Sequence, residues 1–565
     1  MIKAQPGKQA RMVRRLVGIV GLAVAQAASG QAVPDAGSAL RETVPPPAPP
    51  ATAPAPRLPT PPAPAPRSAQ GEAAFVLKSV VFSGNRVFSG DELAAFAADK
   101  IGKSVTFADL DAIAARIGEH YRRQGYFLAQ AILPAQDVTA GKVEFSIIEG
   151  TLGQVRINRA PDAPIAEDHV QRFLAALKPG EPLTATVLEQ AMMALSDLPG
   201  IVVQSSLEAG LEPGTADLEV DVTPRRRWEF AIDADNHGSR ANGEFRVGAT
   251  GRINSPFGLG DNLDVRVLSS SGGGLRFGRL GYELPVGFAG TRLGIAYSRV
   301  EYHLGKEFAP LGANGEADVY ELALTHPFVR SRTRNVIGKA SLVEKVLADK
   351  IDLVSSRTEK RVRSLNLGLA YEARDGWLGG GYTSASATAT LGSLDIRTAA
   401  DLLVDQTVGH RTDGRFGRLN YQVSRLQALA PQSSLFMGVS GQLASANLDS
   451  AEKIALGGPS AVRAYAVSEA NVDQGFVATL EYRYSPTNQV TVSGFYDAAW
   501  GSASRNPLPR EDNRRELRGY GVGLFWAGPE RITVRGSLAW RETGRSTSEP
   551  PDRVPRLFVQ LQKPF

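Results

Sequence analysis

Cysteine is absent from the 565 residues, and histidine occurs only 6 times. Thiol chemistry and cysteine-based metal sites are thereby excluded. No internal run of 18 or more apolar residues occurs, which excludes a membrane-spanning helix. An excess of one charge is also slight: 63 Lys and Arg stand against 58 Asp and Glu, scattered along the chain. Such a balance offers no basic patch to nucleic acid, so no nucleic-acid partner is expected. The histidines are isolated, no Ser/His/Asp spacing suggests hydrolysis, and no glycine cluster has a phosphate-loop context. Neither enzymatic activity, a metal nor a cofactor is therefore expected.

Glycine, by contrast, is plentiful at 58 residues, and 43% hydrophobic content with 21% charge suits either a soluble protein or a β-barrel. Barrel strands alternate, which dilutes their hydropathy to near neutral. The length exceeds one ordinary core, so several domains are expected. At the N-terminus, Arg11, Arg14 and Arg15 precede the apolar run Leu16 to Ala25, and small residues follow. That pattern predicts a secretory signal peptide over residues 1–28. Residues 29–71 are dominated by Pro and Ala, as in TVPPPAPPATAPAPRLPTPPAPAPR. Proline fixes φ and removes a donor, so an extended tether is predicted there.

Between Phe75 and Pro224 the chain repeats itself at an offset of about 75 residues. Val80 aligns with Val155, Ile113 with Leu188, and Gly125 with Gly200. Each copy reads as strand, two helices, two strands; Leu110, Ile113, Ala114 and Ile117 recur at the spacing of one helix face. Two α+β units, 72–150 and 151–225, are predicted. His120 falls on the polar face and is expected to be solvated.

From residue 226 to 565 the period changes to two. In WEFAIDAD, Trp228, Phe230 and Ile232 fall opposite Glu229, Asp233 and Asp235. SLNLGLAY and RITVRGSLAW alternate likewise. Segments of about ten residues with one apolar and one charged face predict transmembrane strands around a wet lumen. Sixteen are counted, beginning near residues 228, 244, 261, 275, 291, 318, 335, 361, 380, 415, 433, 475, 488, 517, 530 and 554. The number is even, so both barrel ends face the periplasm, and connection lengths agree: short ones follow even segments and long ones follow odd segments. The fold class is mainly β: a 16-stranded antiparallel barrel preceded by two α+β units.

The segment YRRQGYFLAQAILPAQDVTAGKVEFSIIEG resembles the first POTRA (polypeptide-transport-associated) domain of two-partner secretion translocators, the haemagglutinin and haemolysin exporters. Two further motifs agree. The longest loop carries Leu456-Gly457-Gly458 and Val462-Arg463-Ala464-Tyr465, which resemble the family's LGG and VRGY signatures. The thirteenth segment carries Phe495-x-Asp497, which resembles its F-x-D-x-G wall motif; Ala464 and Ala499 replace glycines of those patterns. The resemblance implies that the loop folds into the lumen and that Arg463 meets Asp497 on the wall. Period-two alternation independently turns Asp497, and Glu481 as a secondary partner, toward the lumen. A charged arginine lowered into a channel needs such a partner to offset its desolvation. The terminal Phe565 on an amphipathic last strand resembles the signal read by the barrel-assembly machinery.

The family resemblance implies export of a large secreted, haemagglutinin- or haemolysin-like partner across the outer membrane of a Gram-negative cell. It implies contact with outer-membrane lipid, and with barrel-assembly machinery and periplasmic chaperones during biogenesis. An outer-membrane assembly factor of the same superfamily and a passive porin are the alternatives; the first usually carries more than two such units, and the second leaves the paired units unexplained. In that family a helix before the first unit often plugs the barrel. Here the Pro-rich stretch leaves only Ala36 to Glu42, which argues against a plug.

Overall fold

In the computed structural model, residues 33–43, 74–542, 544 and 552–565 are described. The expected signal peptide and most of the expected tether lie outside them. The first α+β unit contains strand Ser79–Ser83, helices Gly90–Ala94 and Phe107–Arg123, and strands Gln130–Ile132 and Lys142–Ile148. Its last strand is central, parallel to the first and antiparallel to Gln130–Ile132. The second unit repeats this with strand Thr151–Arg159, helices Glu167–Phe173 and Ala185–Ser196, and strands Ile201–Ala209 and Thr215–Pro224. The long helix begins where Thr106 and Asp109 cap each other reciprocally. It buries Leu110, Ile113, Ile117 and Tyr121 on one face, the face that the sequence spacing marks. Gly125 then takes a left-handed φ of 94°, closing the helix where a side chain would be strained.

Glu149 ties the first unit together. Its buried carboxylate accepts from the Arg86 and Val87 amides, both at 2.7 Å, and from the Tyr121 hydroxyl at 2.9 Å. Burial, and then this carboxylate, push the Tyr121 pKa up, so the hydroxyl stays a donor. His120 is not the solvated residue that the sequence suggested. Its ring packs against Phe88 at 4.7 Å and Phe96 at 5.0 Å.

Sixteen antiparallel strands close into a barrel. They are β1 (Trp228–Asp235), β2 (Arg246–Asn254), β3 (Asn262–Ser270), β4 (Leu275–Pro285), β5 (Arg292–His303), β6 (Ala313–Arg330), β7 (Arg334–Ile351) and β8 (Ser356–Asp375). Then follow β9 (Gly381–Ile396), β10 (Gly414–Ala430), β11 (Ser433–Ala444), β12 (Gln474–Tyr484), β13 (Val490–Ser502), β14 (Arg514–Ala527), β15 (Thr533–Arg541) and β16 (Arg556–Pro564). β16 pairs with β1 to complete the ring. Trp228, Phe230, Ile232, Leu365, Leu367 and Leu369 are exposed on the outer wall, as alternation requires. Asp233, Asp235 and Arg246 are buried on the inner one.

The strand count and order agree with the sequence reading, but β6 to β8 run to 18–20 residues rather than about ten. Pairing continues through charged positions such as Glu316, Asp318, Arg361 and Arg363. An estimate that follows the apolar band stops where the ladder does not. Sidedness is set by the second α+β unit. Ser255 Oγ, in the turn after β2, donates to Pro164 O at 2.7 Å. Phe288, after β4, meets Phe173 at 5.3 Å. Arg330, at the end of β6, forms a two-pronged pair with Asp197, each contact 2.7 Å. Turns after even strands therefore lie on the side of the α+β units, and the long loops lie opposite.

The expectation against a plug is overturned. Ala36–Glu42 is a helix, capped by Asp35 and Ser38, with most of its residues buried inside the barrel. An isolated helix of two turns is unstable in water, so its order comes from packing. Ala36 and Ala39 join an apolar cluster with Val300, Tyr302 and Leu347. Gly37 meets the loop after β11 so closely that a Cβ would stand 2.4 Å from Ser450 Oγ. At its C-terminal end the Glu42 carboxylate accepts from Asn242 Nδ2 at 3.2 Å. Small residues let it fit, and a proline-rich context hides it from a composition-based reading.

Candidate functional site

The loop after β11 spans residues 445–473 and turns inward. Its return is built on close backbone approach. Gly458 takes φ 123°, and a Cβ on Gly457 would stand 2.7 Å from Glu469 Cβ. Gly457 N donates to Glu469 O at 3.0 Å, and Val462 N donates to Leu456 O at 3.0 Å. Leu456, Val462, Ala464 and Tyr465 then pack with Val477, Phe495, Ala499 and Leu517 of the wall. Burying an apolar tip holds the loop without any covalent staple.

Arg463 leaves this apolar tip and meets Asp497. Its Nε donates to Asp497 Oδ2 at 2.8 Å and its Nη2 to Oδ1 at 2.9 Å, a fork-to-carboxylate fit. The Arg463 amide adds a third contact to Asp497 at 3.2 Å, and Thr479 Oγ1 a fourth at 3.0 Å. Arg463 Nη1 also donates to Glu481 Oε2 at 2.7 Å, while Arg483 Nε takes the other Glu481 oxygen at 2.8 Å. The guanidinium lies over the Phe495 ring, 3.3 Å from its centroid. Asp497 is 0% exposed and the Arg463 side chain 15% exposed, so water takes little part in screening this pair.

Every residue of the two motifs thus meets at one place. Leu456, Gly457 and Gly458 shape the return, Val462 and Tyr465 anchor it, and Phe495, Asp497 and Glu481 receive Arg463. The replacement of glycine by Ala464 costs no strain, because its φ is not positive. Instead Gly519 on β14 makes room: a Cβ there would stand 2.5 Å from Ala464 Cβ. Gly521 does the same for Phe495, whose Cζ would lie 2.5 Å away. These two glycines escaped the sequence reading, although alternation alone puts both on the lumen side of β14. Phe565 lies elsewhere, at the β1–β16 seam, where its amide donates to Phe230 O at 2.8 Å.

The lumenal helix and the loop are joined through a polar belt. Lys360 on β8 pairs with Asp449 at 2.7 Å and lies 3.9 Å from Asp35. Glu452 receives Arg418 at 3.0 Å and Lys345 at 2.5 Å. Arg41 donates to Ser450 O and Lys453 O. Across the lumen, Arg246 forks onto Asp235 at 2.8 and 3.1 Å and reaches Glu42 O. Both inward segments are therefore held by charge-assisted contacts that side-chain movement can release.

Comparison with known proteins agrees with this geometry. Residues 75–150 match the POTRA domain of ShlB type, and residues 214–526 match the haemolysin secretion/activation protein family ShlB/FhaC/HecB. The chain is 28% identical over 460 residues to the heme/hemopexin transporter protein HuxB of Haemophilus influenzae (strain 86-028NP), covering 80% of each. It is 21% identical over 405 residues to the outer membrane transporter CdiB of Dickeya dadantii (strain 3937), covering 69% of each. The solved structure of CdiB from Escherichia coli superposes with a TM-score of 0.71 at 18% identity, over the whole of both chains. With POTRA-type unit, closed barrel and inward loop in place, the chain belongs to the ShlB/FhaC/HecB family of haemolysin secretion/activation proteins and is an outer-membrane translocator of two-partner secretion.

Proposed function

We propose that this translocator captures an unfolded, haemagglutinin- or haemolysin-like partner in the periplasm and passes it through a lumen that two of its own segments close at rest. Residues 72–150 and 151–225 act as a pair of POTRA domains. The outer edges of Ser79–Ser83 and Ile201–Ala209 pair with no further strand among the described residues. An extended client can add to such an edge through backbone hydrogen bonds. The Arg463 loop and the Ala36–Glu42 helix then yield, since their anchors are ion pairs, small-residue contacts and, for the loop, one short apolar tip.

The observation that carries this reading is the double occupancy of the lumen. A passive pore has no use for two latched segments, whereas a conduit that must stay closed without its client does. Transport needs no covalent step from this chain, and Arg463, Asp497 and Glu481 act as a latch rather than as catalysts. Phe565 serves recognition by the barrel-assembly machinery, with periplasmic chaperones escorting the chain beforehand. Deleting residues 72–225 tests the division of labour. The barrel still inserts, seen by its heat-dependent gel mobility, while secretion of the client, followed by immunoblot of the medium, stops. Undiminished secretion by the deletion removes the capture role.

A further inference from the structure

We propose that the outer wall of β4 to β10 carries a binding site for a phosphorylated, multi-acyl glycolipid of the surface leaflet, the lipid A type. Strand register builds it. One ladder row runs through Tyr297, Tyr320, Glu344, Arg363, Ser393 and Arg415, each paired with the next. The neighbouring row, two residues toward the periplasmic turns, is Ile295, Leu322, Leu342, Leu365 and Leu391. Both rows share the parity of the outer face. All these apolar side chains are exposed, and together the two rows line a concave groove of about 1030 Å³.

Position in the wall selects the leaflet. β8 and β10 descend from the surface loops, and Arg363 and Arg415 stand in their surface-side halves. The groove therefore opens toward the surface leaflet. In an outer membrane that leaflet is built of phosphorylated glycolipid. Chemistry selects the ligand. At the β7–β8 end of the groove Arg361 and Arg363 share one carboxylate, Glu344, at 3.1 and 3.2 Å, so cations outnumber it there, whereas at the β5–β6 end Glu301, Glu316 and Asp318 surround Arg299. Among the described residues no carboxylate pairs with the exposed Arg415. Planar guanidinium groups suit phosphate oxygens, and side chains above a lipid-facing band are placed to meet a headgroup. The apolar row crosses β5 to β9, each strand about 4.8 Å from the next, so several acyl chains can lie side by side. Two chains of a phospholipid leave much of that width unfilled. Tyr297 and Tyr320, with ring centroids 5.2 Å apart, mark the interface where amphipathic rings settle.

The test is equilibrium binding of fluorescent, bis-phosphorylated lipid A to the full chain in detergent micelles. Saturable one-to-one binding is expected, weakened roughly tenfold or more by Arg363→Ala with Arg415→Ala. Lipid A stripped of its phosphates should bind the unaltered protein correspondingly less well, a comparison independent of any variant's folding. The pair Arg363→Lys and Arg415→Lys should retain part of the affinity. Equal binding by the double alanine variant overturns the site. So does equal binding of the dephosphorylated lipid, or displacement of lipid A by phosphatidylglycerol at equimolar ratio, which marks a general affinity for anionic lipid.

Discussion

Removing Arg463 and removing Asp497 should not cost the same. Among the described residues, Arg463→Ala leaves Asp497 fully buried with one hydroxyl, Thr479, and one backbone amide as its remaining partners, and no cation. An uncompensated buried charge of this kind costs about 3–5 kcal/mol. Asp497→Ala leaves Arg463 with Glu481 at 2.7 Å and with the Phe495 face, so the loss should be about half as large. The loop is held by this pair and by its apolar tip, so the cost falls mainly on the folded-in state. A shift of about 3 kcal/mol changes the balance between loop-in and loop-out by roughly 100-fold. External protease should then cut within residues 445–473 on intact cells, and planar bilayers should show longer or larger openings. Client export should fall in both single variants while the barrel still assembles. Exchanging the charges, Arg463→Asp with Asp497→Arg, should recover part of the loss, because the fork is then presented from the wall. Two single variants with wild-type export, an uncut loop and coupling near zero would refute the latch.

Other expectations are narrower. Gly37→Leu should expel the lumenal helix, because even a Cβ would stand 2.4 Å from Ser450 Oγ and 2.5 Å from Ala451 N; resting conductance in planar bilayers should rise, and an unchanged baseline would mean the helix does not obstruct ion flow. Phe565→Ala should slow assembly without altering the finished barrel, since the ring is 53% exposed at the seam and packs little; pulse-chase with heat-modifiable mobility reads the rate.

Much of this architecture was legible in the chain itself. Sixteen strands and the face of their apolar and charged residues follow from a period of two, and the sidedness of loops from connection lengths; geometry makes the period binding, because a one-residue slip would put Asp497 into lipid. The same rule placed Asp497, Glu481 and Phe495 on the lumen wall, and motif resemblance brought Arg463 to them. Two of the readings that the structure corrects fail for opposite reasons. A length taken from the apolar band clips β6 to β8, because hydrophobicity measures membrane contact, whereas pairing needs only backbone partners. The Ala36–Glu42 helix escapes a local reading, because a two-turn helix among prolines cannot stand alone. Its stability resides in Ser450, Asn242, Asp349 and the apolar cluster around Tyr302, contacts hundreds of residues distant. Local sequence therefore determined periodicity, and with it the barrel and which side chains face inward. Only the closed ring decided which of those inward groups touch. Gly519 opposite Ala464, Arg246 against Glu42, and Lys360 between Asp35 and Asp449 depend on curvature and on segments entering from outside the strand pattern. Neither has a local signature, because free energy gained across a lumen leaves no mark on the spacing of residues along the chain.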